Sequence, residues 1–294
     1  MTKLPTIEFW KRIRLLIADG CNYSCSFCHN EGQRKTIACR LMSMALFSRV
    51  ISAVSDKGVN DICISGGEPF LNRHVVDMLL FACDKTAADI SCASNLSLIT
   101  DEQIERLAHS RVKFNIQFPY ADTDHFRRST ACGDFRKVSE RVDRVIDAGI
   151  KIGLNTVLQA DTIQNIENIL AYAAKRSIPL KLLPEIGRPG SCNCKVELER
   201  VLAGRILERH EKGTGAIKWM VDVGGTTVDV LFIDSPCLSG EFAQCHRYGE
   251  IRVWPGGELQ PCIFRKPTGF ISECESSDEI SEKLVAIWKD FKSC

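Results

Sequence analysis

Between residues 12 and 183, short apolar runs alternate with amphipathic stretches, and the alternation predicts strands interleaved with helices. Arg12–Ala18 predicts a strand that runs straight into a cysteine-bearing loop, and Leu41–Lys57 has helical spacing. Strand Asp61–Ser65, helix Arg73–Asp84, strand Asp89–Ala93, helix Asp101–His109 and strand Val112–Phe118 continue the series. Gly133-Asp134 is a capping sequence for a longer helix, Phe135–Ala148. Strand Lys151–Val157, helix Thr162–Lys175 and strand Leu180–Leu183 complete it. Six strands alternating with helices predict an α/β fold, a parallel sheet curled into a partial (βα)6 barrel of the TIM type.

Beyond Leu183 the pattern changes. Gly187-Arg-Pro-Gly190 reads as a hinge, dividing the chain into a barrel, residues 1–186, and a smaller C-terminal region, residues 187–294. Val196–Lys212 is rich in charge and reads as helical. Thr226–Ile233 and Glu250–Trp254 predict strands, and the turn Pro255-Gly256-Gly257 closes a hairpin into Glu258–Ile263.

Composition narrows the class. The 294 residues are 45% hydrophobic and 26% charged, as in an ordinary globular protein. A formal net charge of +1 argues against a surface built to bind nucleic acid or an anionic membrane. The first residues show no signal-peptide pattern, and no apolar run of about 18 residues or more occurs, so a cytoplasmic location is expected.

The 15 cysteines are the outlier. In a long chain without an export signal, clustered cysteines indicate metal or redox chemistry rather than disulfides. Cys39, Cys63, Cys83, Cys92, Cys132 and Cys294 stand alone and are expected to be small buried hydrophobes. Cys21, Cys25 and Cys28 cluster near the start, and Cys192, Cys194, Cys237, Cys245, Cys262 and Cys274 fall in the last third.

Cys21-Asn-Tyr-Ser-Cys25-Ser-Phe-Cys28 places three thiolates on one short loop after a strand, a set able to converge on an iron–sulfur cluster. With three cysteines on a four-iron cube, one iron stays open to an external ligand. A structural zinc site would need a fourth ligand, and His29 is the local candidate, awkwardly adjacent to Cys28.

This loop resembles the signature of the radical S-adenosylmethionine (SAM) superfamily, and Ser65-Gly66-Gly67-Glu68-Pro69 after the second strand resembles its second signature. The resemblance implies a [4Fe–4S] cluster on Cys21, Cys25 and Cys28. It also implies SAM bound at the open iron with Gly66, Gly67, Glu68, Asn95 and Asn155 around it. Along nearly the whole chain the similarity is to the GTP 3′,8-cyclase branch: Phe70-Leu-Asn-Arg73, Gly133-Asp-Phe-Arg-Lys-Val138, Leu154-Asn-Thr-Val157 and Leu182-Leu-Pro-Glu185 fall in matching order. Arg14 takes a substrate-side position by the same resemblance, and Arg73 and Arg252 are further candidate anion contacts.

Departures from that branch bear on the substrate. Where the cyclases grip a triphosphate with basic side chains, this chain has Asp61, Cys63 and Gly153. A close exposed carboxylate would repel a polyphosphate by about 1 kcal/mol or more. Gln117-Phe118-Pro119 replaces a Ser-Leu-Asp run after the fourth strand, and the C-terminal glycine pair is lacking. A substrate other than GTP is expected.

Ile251-Arg-Val-Trp-Pro-Gly-Gly-Glu-Leu-Gln-Pro-Cys262 resembles the hairpin that carries the cyclases' second cluster, with Cys237 and Cys245 as its other ligands. Cys245, Gly257 and Cys262 also resemble the opening of SPASM/twitch domains, with Cys274 a fourth ligand and zinc the alternative metal. The reading is an enzyme in which a flavodoxin or ferredoxin reduces the N-terminal cluster and SAM is cleaved to a 5′-deoxyadenosyl radical. That radical takes a hydrogen from a small molecule, a nucleotide or nucleoside, in a specialised biosynthetic pathway. A SPASM/twitch-type enzyme acting on a peptide, alcohol or sugar is the alternative. A non-catalytic zinc or iron–sulfur interaction protein is the third.

Overall fold

The computed structural model describes residues 11–29, 39–185, 194–212, 215–245 and 249–292. The predicted series of strands is present as β1 (Arg12–Leu16), β2 (Asp61–Ser65), β3 (Asp89–Ser94), β4 (Lys113–Gln117), β5 (Lys151–Leu158) and β6 (Leu180–Pro184). Each pairs in parallel with the next. Period-two patterning makes the sheet two-faced. In β4, Phe114 and Ile116 are fully buried against the helical layer, whereas Lys113, Asn115 and Gln117 are half-buried on the opposite face. Leu180 and Leu182 of β6 are buried in the same way, with Lys181 half-buried between them.

Helices cover the apolar face and bury one stripe each. They are α1 (Met44–Val54), α2 (Val75–Lys85), α3 (Asp101–Leu107), α4 (Thr123–Thr130), α5 (Phe135–Asp147), α6 (Ala160–Gln164) and α7 (Ile166–Arg176). The starts of α1, α3, α4 and α5 carry side-chain caps that satisfy first-turn N–H groups. The Ser43 hydroxyl accepts from Leu46 N, Thr100 and Gln103 form a capping box, and Asp134 accepts from the N–H groups of Arg136 and Lys137. The stretch predicted as one helix over Thr162–Lys175 is two, broken at Asn165.

The C-terminal third extends this sheet at both margins. After α8 (Cys194–Val201) come β7 (Ile206–Glu211), β8 (Ala216–Val223) and β9 (Thr226–Ile233), with β9 parallel to β6 and the three joined antiparallel. The helix predicted over Val196–Lys212 therefore stops at Val201, and its second half is a strand. Local charge periodicity lost to pairing with β8. At the other margin, β10 (Ile251–Val253) runs parallel to β1, and β11 (Glu258–Gln260) and β12 (Gly269–Phe270) follow antiparallel. One twelve-stranded sheet results, in the order β12-β11-β10-β1-β2-β3-β4-β5-β6-β9-β8-β7. After the four-residue α9 (Pro236–Ser239), the last helix, α10 (Ser277–Asp290), packs on α1. The hinge predicted at Gly187–Gly190 lies outside the described residues. No described helix is long and apolar enough to cross a membrane.

Candidate active site

The cysteine loop leaves the end of β1 and is fastened on two sides. Toward β2, Ile17 N–H donates to Ser65 O, Gly67 N–H to Ala18 O and Glu68 N–H to Gly20 O, each at 2.9 Å. Toward α4, Ser24 N–H donates to Thr130 O at 3.1 Å and Ser26 N–H to Ser129 O at 3.0 Å. Tyr23 and Phe27 are buried beneath the loop, while the three cysteines stay half-buried. Gly66 explains part of the second signature. Its φ is +137°, and a Cβ there would stand 2.2 Å from Ala18 O, so only glycine lets the β2 exit approach the β1 exit this closely.

The thiols influence one another. Burial pushes the Cys21 thiol up to about 11, against the pull of the Tyr23 N–H that donates to its sulfur at 3.3 Å. Burial, then Cys21 and Cys28, push Cys25 up to about 12. Three neighbouring half-buried sulfurs, one already accepting a backbone N–H, form a donor set suited to an iron–sulfur cluster. Among the described residues no group of three or more His, Cys, Asp or Glu side chains is placed to hold a single metal ion. Among the isolated cysteines, Cys63 and Cys92 are buried as expected, whereas Cys83 is half-buried and Cys39 and Cys132 are exposed. The turn after α4 brings Cys132 beside the loop, where its thiol donates to Asn22 O at 3.2 Å. Nothing local in the sequence marks this approach.

Glu68 is fully buried, and its carboxylate ties neighbouring backbone together. Its carboxylate accepts Asn95 N–H at 2.8 Å, the Ser94 hydroxyl at 2.8 Å and Phe70 N–H at 3.0 Å. Burial raises its carboxyl, and these three donors oppose that rise. Asn95 in turn donates to Asn22 Oδ1 at 2.9 Å and faces Cys21 Sγ at 4.0 Å. The end of β3 is thereby held against the cysteine loop.

Asn155 sits on β5 in register with Gln117 on β4. Asn155 Oδ1 and Gln117 Nε2 are buried without a hydrogen-bond partner in the described structure. Unpaired buried polar atoms are costly, so an acceptor and a donor left open on one patch of the polar face fit a polar cofactor or substrate.

The three arginines differ in their surroundings. Arg14 Nε donates to Glu250 Oε1 at 2.7 Å and Arg252 Nη2 to the same oxygen at 2.7 Å. Arg14 also reaches the Ser65 hydroxyl at 3.2 Å. Burial would raise the Glu250 carboxyl, but Arg14 and Arg252 outweigh it and bring it down to about 2. Glu250, unmarked in the sequence, is thus the hub joining β1 to β10. Arg73 is exposed ahead of α2 and donates to His74 Nε2 at 3.0 Å.

In the last third, Cys237 lies on α9, Cys245 caps a short 3₁₀ turn over 242–244, Cys262 follows β11 and Cys274 precedes α10. Cys194 is buried on α8, and Cys192 lies outside the described residues.

Comparison with known proteins accords with this geometry. The chain is 27% identical to a probable GTP 3′,8-cyclase of Methanosarcina mazei over 294 residues, covering 94% of this chain and 84% of that one. It is 23% identical to one from Methanococcus maripaludis, covering 87% and 86%. Among solved structures, SuiB of Streptococcus suis bound to S-adenosylmethionine superposes with a TM-score of 0.72 at 15% identity. That match covers 96% of this chain but only 66% of SuiB. Native anSMEcpe with bound AdoMet gives a TM-score of 0.65 at 13% identity, covering 93% and 81%. Residues 15–173, more than half of the chain, match the Radical SAM superfamily, and the chain belongs to that superfamily of enzymes.

Proposed function

We propose that this enzyme takes hydrogen from a small-molecule substrate, a nucleotide or nucleoside other than GTP, held on the polar face of the sheet. Bound at the N-terminal loop, a [4Fe–4S] cluster and SAM would supply a strongly oxidising 5′-deoxyadenosyl radical. The chain's own part is to bind, orient and shield. Cys21, Cys25 and Cys28 would hold the cluster. Gly66 permits the close approach of the two strand exits, and Glu68 fixes Asn95 against the loop. Asn155 and Gln117 offer an unpaired acceptor and donor to SAM. The observation that carries the reading is this pair of orphaned amides on the polar face of the sheet whose β1 exit bears the three thiols.

The exclusion of GTP rests on the residues that stand where the cyclases carry basic side chains. Asp61 sits beside Arg12, Cys63 is buried, and Gly153 carries no side chain, so the triphosphate contacts of the cyclases are replaced by a different set. Arg14 and Arg252 face Glu250, leaving them to brace the barrel margin. We assign Cys237, Cys245, Cys262 and Cys274 to an auxiliary [4Fe–4S] cluster, on the resemblance of the β10–β11 hairpin. The test is anaerobic reconstitution followed by reduction with dithionite or a flavodoxin in the presence of SAM. Release of 5′-deoxyadenosine, and a mass-shifted product from a nucleotide or nucleoside panel, is the expected result. No SAM turnover under strict anaerobiosis would refute the reading.

A further inference from the structure

The junction between α4 and α5 is pressed onto the cysteine loop. Ser26 and Ser24 donate to the last carbonyls of α4, those of Ser129 and Thr130, and the Cys132 thiol donates to Asn22 O. Gly133 completes the contact. A Cβ there would stand 3.1 Å from Tyr23 Cζ and 2.7 Å from Phe126 Cε1, so the turn lies on the loop only without a side chain. Four cations flank this junction: Arg127 and Arg128 in the last turn of α4, and Arg136 and Lys137 in the first turn of α5. All four are exposed, as are Ser24, Ser26 and Cys132.

Among the described residues none of these four side chains has a hydrogen-bond or ion-pair partner. Asp124 and Glu140 stand one helical turn from Arg128 and Arg136 but pair with neither. Further along α5 the cations are matched: Arg141 and Arg144 reach Asp101, and Arg176 of α7 holds Asp143. Helix stability does not account for the difference. Cations suit the last turn of a helix, which fits Arg127 and Arg128, but the first turn carries the positive end of the helix dipole. Arg136 and Lys137 stand against that dipole, and the first turn of α5 holds no acidic residue. Only the capping Asp134 offsets them, its Oδ1 accepting their backbone N–H groups. Exposed like charges held together at a cost are matched by an acidic surface brought from outside.

We infer that Arg127, Arg128, Arg136 and Lys137 form the docking surface for a small acidic electron-carrier protein of the flavodoxin type. This rests on the reading of Cys21, Cys25 and Cys28 as cluster ligands proposed above. A cluster on that loop needs one electron from outside the chain, and the four cations ring the solvent side of the helix junction fastened to the loop. In the transfer, the anionic flavin hydroquinone loses one electron and becomes the neutral semiquinone. The oxidised cluster gains that electron, and no proton moves. The arginines and the lysine only hold the carrier's acidic rim, so its flavin edge faces Ser24 and Ser26.

The test uses anaerobically reconstituted holoenzyme with a flavodoxin as the probe, its binding followed calorimetrically across a salt series. Saturable binding that weakens as salt rises is expected. In R136E/K137E the affinity should fall roughly tenfold or more, as expected for lost steering. The same variant should melt no lower than wild type, because acids suit the first turn of a helix. Its release of 5′-deoxyadenosine should drop with reduced flavodoxin and hold with dithionite, which needs no docking. Alkylation of wild type, read by peptide mass spectrometry, gives a readout apart from turnover: bound flavodoxin should shield Cys132. Salt-independent binding, undiminished affinity in R136E/K137E, an unshielded Cys132, or an equal loss of the dithionite-driven rate would overturn the inference. Dithionite-driven release by wild type keeps the readings apart. Its presence alongside undiminished affinity in the variant removes the docking surface alone; its absence removes the cluster reading beneath it.

Discussion

The Glu68 carboxyl group accepts the backbone N–H of Asn95 at 2.8 Å, and through this bond a buried side chain decides where the end of β3 meets the cysteine loop. Replacing Glu68 by Gln keeps the shape but turns one acceptor into a donor facing Ser94 or the main-chain N–H groups. A buried group so mismatched costs about 1–3 kcal/mol. E68Q should therefore show a lower denaturation midpoint and weaker SAM binding by equilibrium dialysis. Unchanged values of both would show that the brace is dispensable.

Two glycines make a contrasting pair. At Gly66 a Cβ meets backbone oxygen at 2.2 Å in a positive-φ conformation, whereas at Gly153 it meets the flexible Lys113 chain at 3.4 Å. Gly66→Ala is expected to cost about 3 kcal/mol or to prevent soluble expression, since strain of this kind runs to about 1–3 kcal/mol before the clash is added. Gly153→Ala should leave thermal stability nearly intact. Equal melting temperatures for the two variants would contradict the geometry.

Thiol content and cluster content should separate. C21A, C25A and C28A are each expected to lose most of the N-terminal cluster's iron and its visible absorbance after anaerobic reconstitution. C132A should retain both, because the Cys132 thiol is exposed and already hydrogen-bonded to Asn22 O. Loss of iron in C132A would make Cys132 a fourth ligand and close the site to SAM.

Acid should loosen the β1–β10 margin. The Glu250 carboxyl falls from an ordinary 4.5 to about 2, so the stability it contributes is present above about pH 4.5 and is lost as pH falls toward 2. At 1.36 kcal/mol per unit that contribution is about 3 kcal/mol. Urea midpoints measured from pH 6 down to pH 2 should fall more steeply for wild type than for E250Q. E250Q should also be less stable near neutrality, since it strands the Arg14 and Arg252 charges. Parallel pH profiles would refute the hub.

The parts legible in the sequence were those with a local signal. β3, β4 and β6 alternate in burial because one face packs on helices, and β2 and β9 run from Asp61 to Ser65 and from Thr226 to Ile233, as their patterns predict. β7 was not legible: five of its six residues are exposed, so no apolar alternation marks it, and only pairing with β8 makes it a strand. The cysteine loop and the Gly66-Gly67-Glu68 turn were found because their residue types are demanded by chemistry and by close approach. Glu250 and Cys132 were not, because their partners lie 236 and 110 residues away along the chain. Arg14 was noticed for its position, but only the fold shows that a carboxylate faces it.

The pairing of β1 with β10 has a consequence for biogenesis. β1 leads into the thiol loop, yet one of its hydrogen-bonding edges is completed only by Ile251–Val253, in register with Ile13–Leu15. A nascent chain emerging from the ribosome must therefore keep that edge open until Ile251–Val253 have been made, a long-range closure that folds slowly and exposes a strand to wrong neighbours.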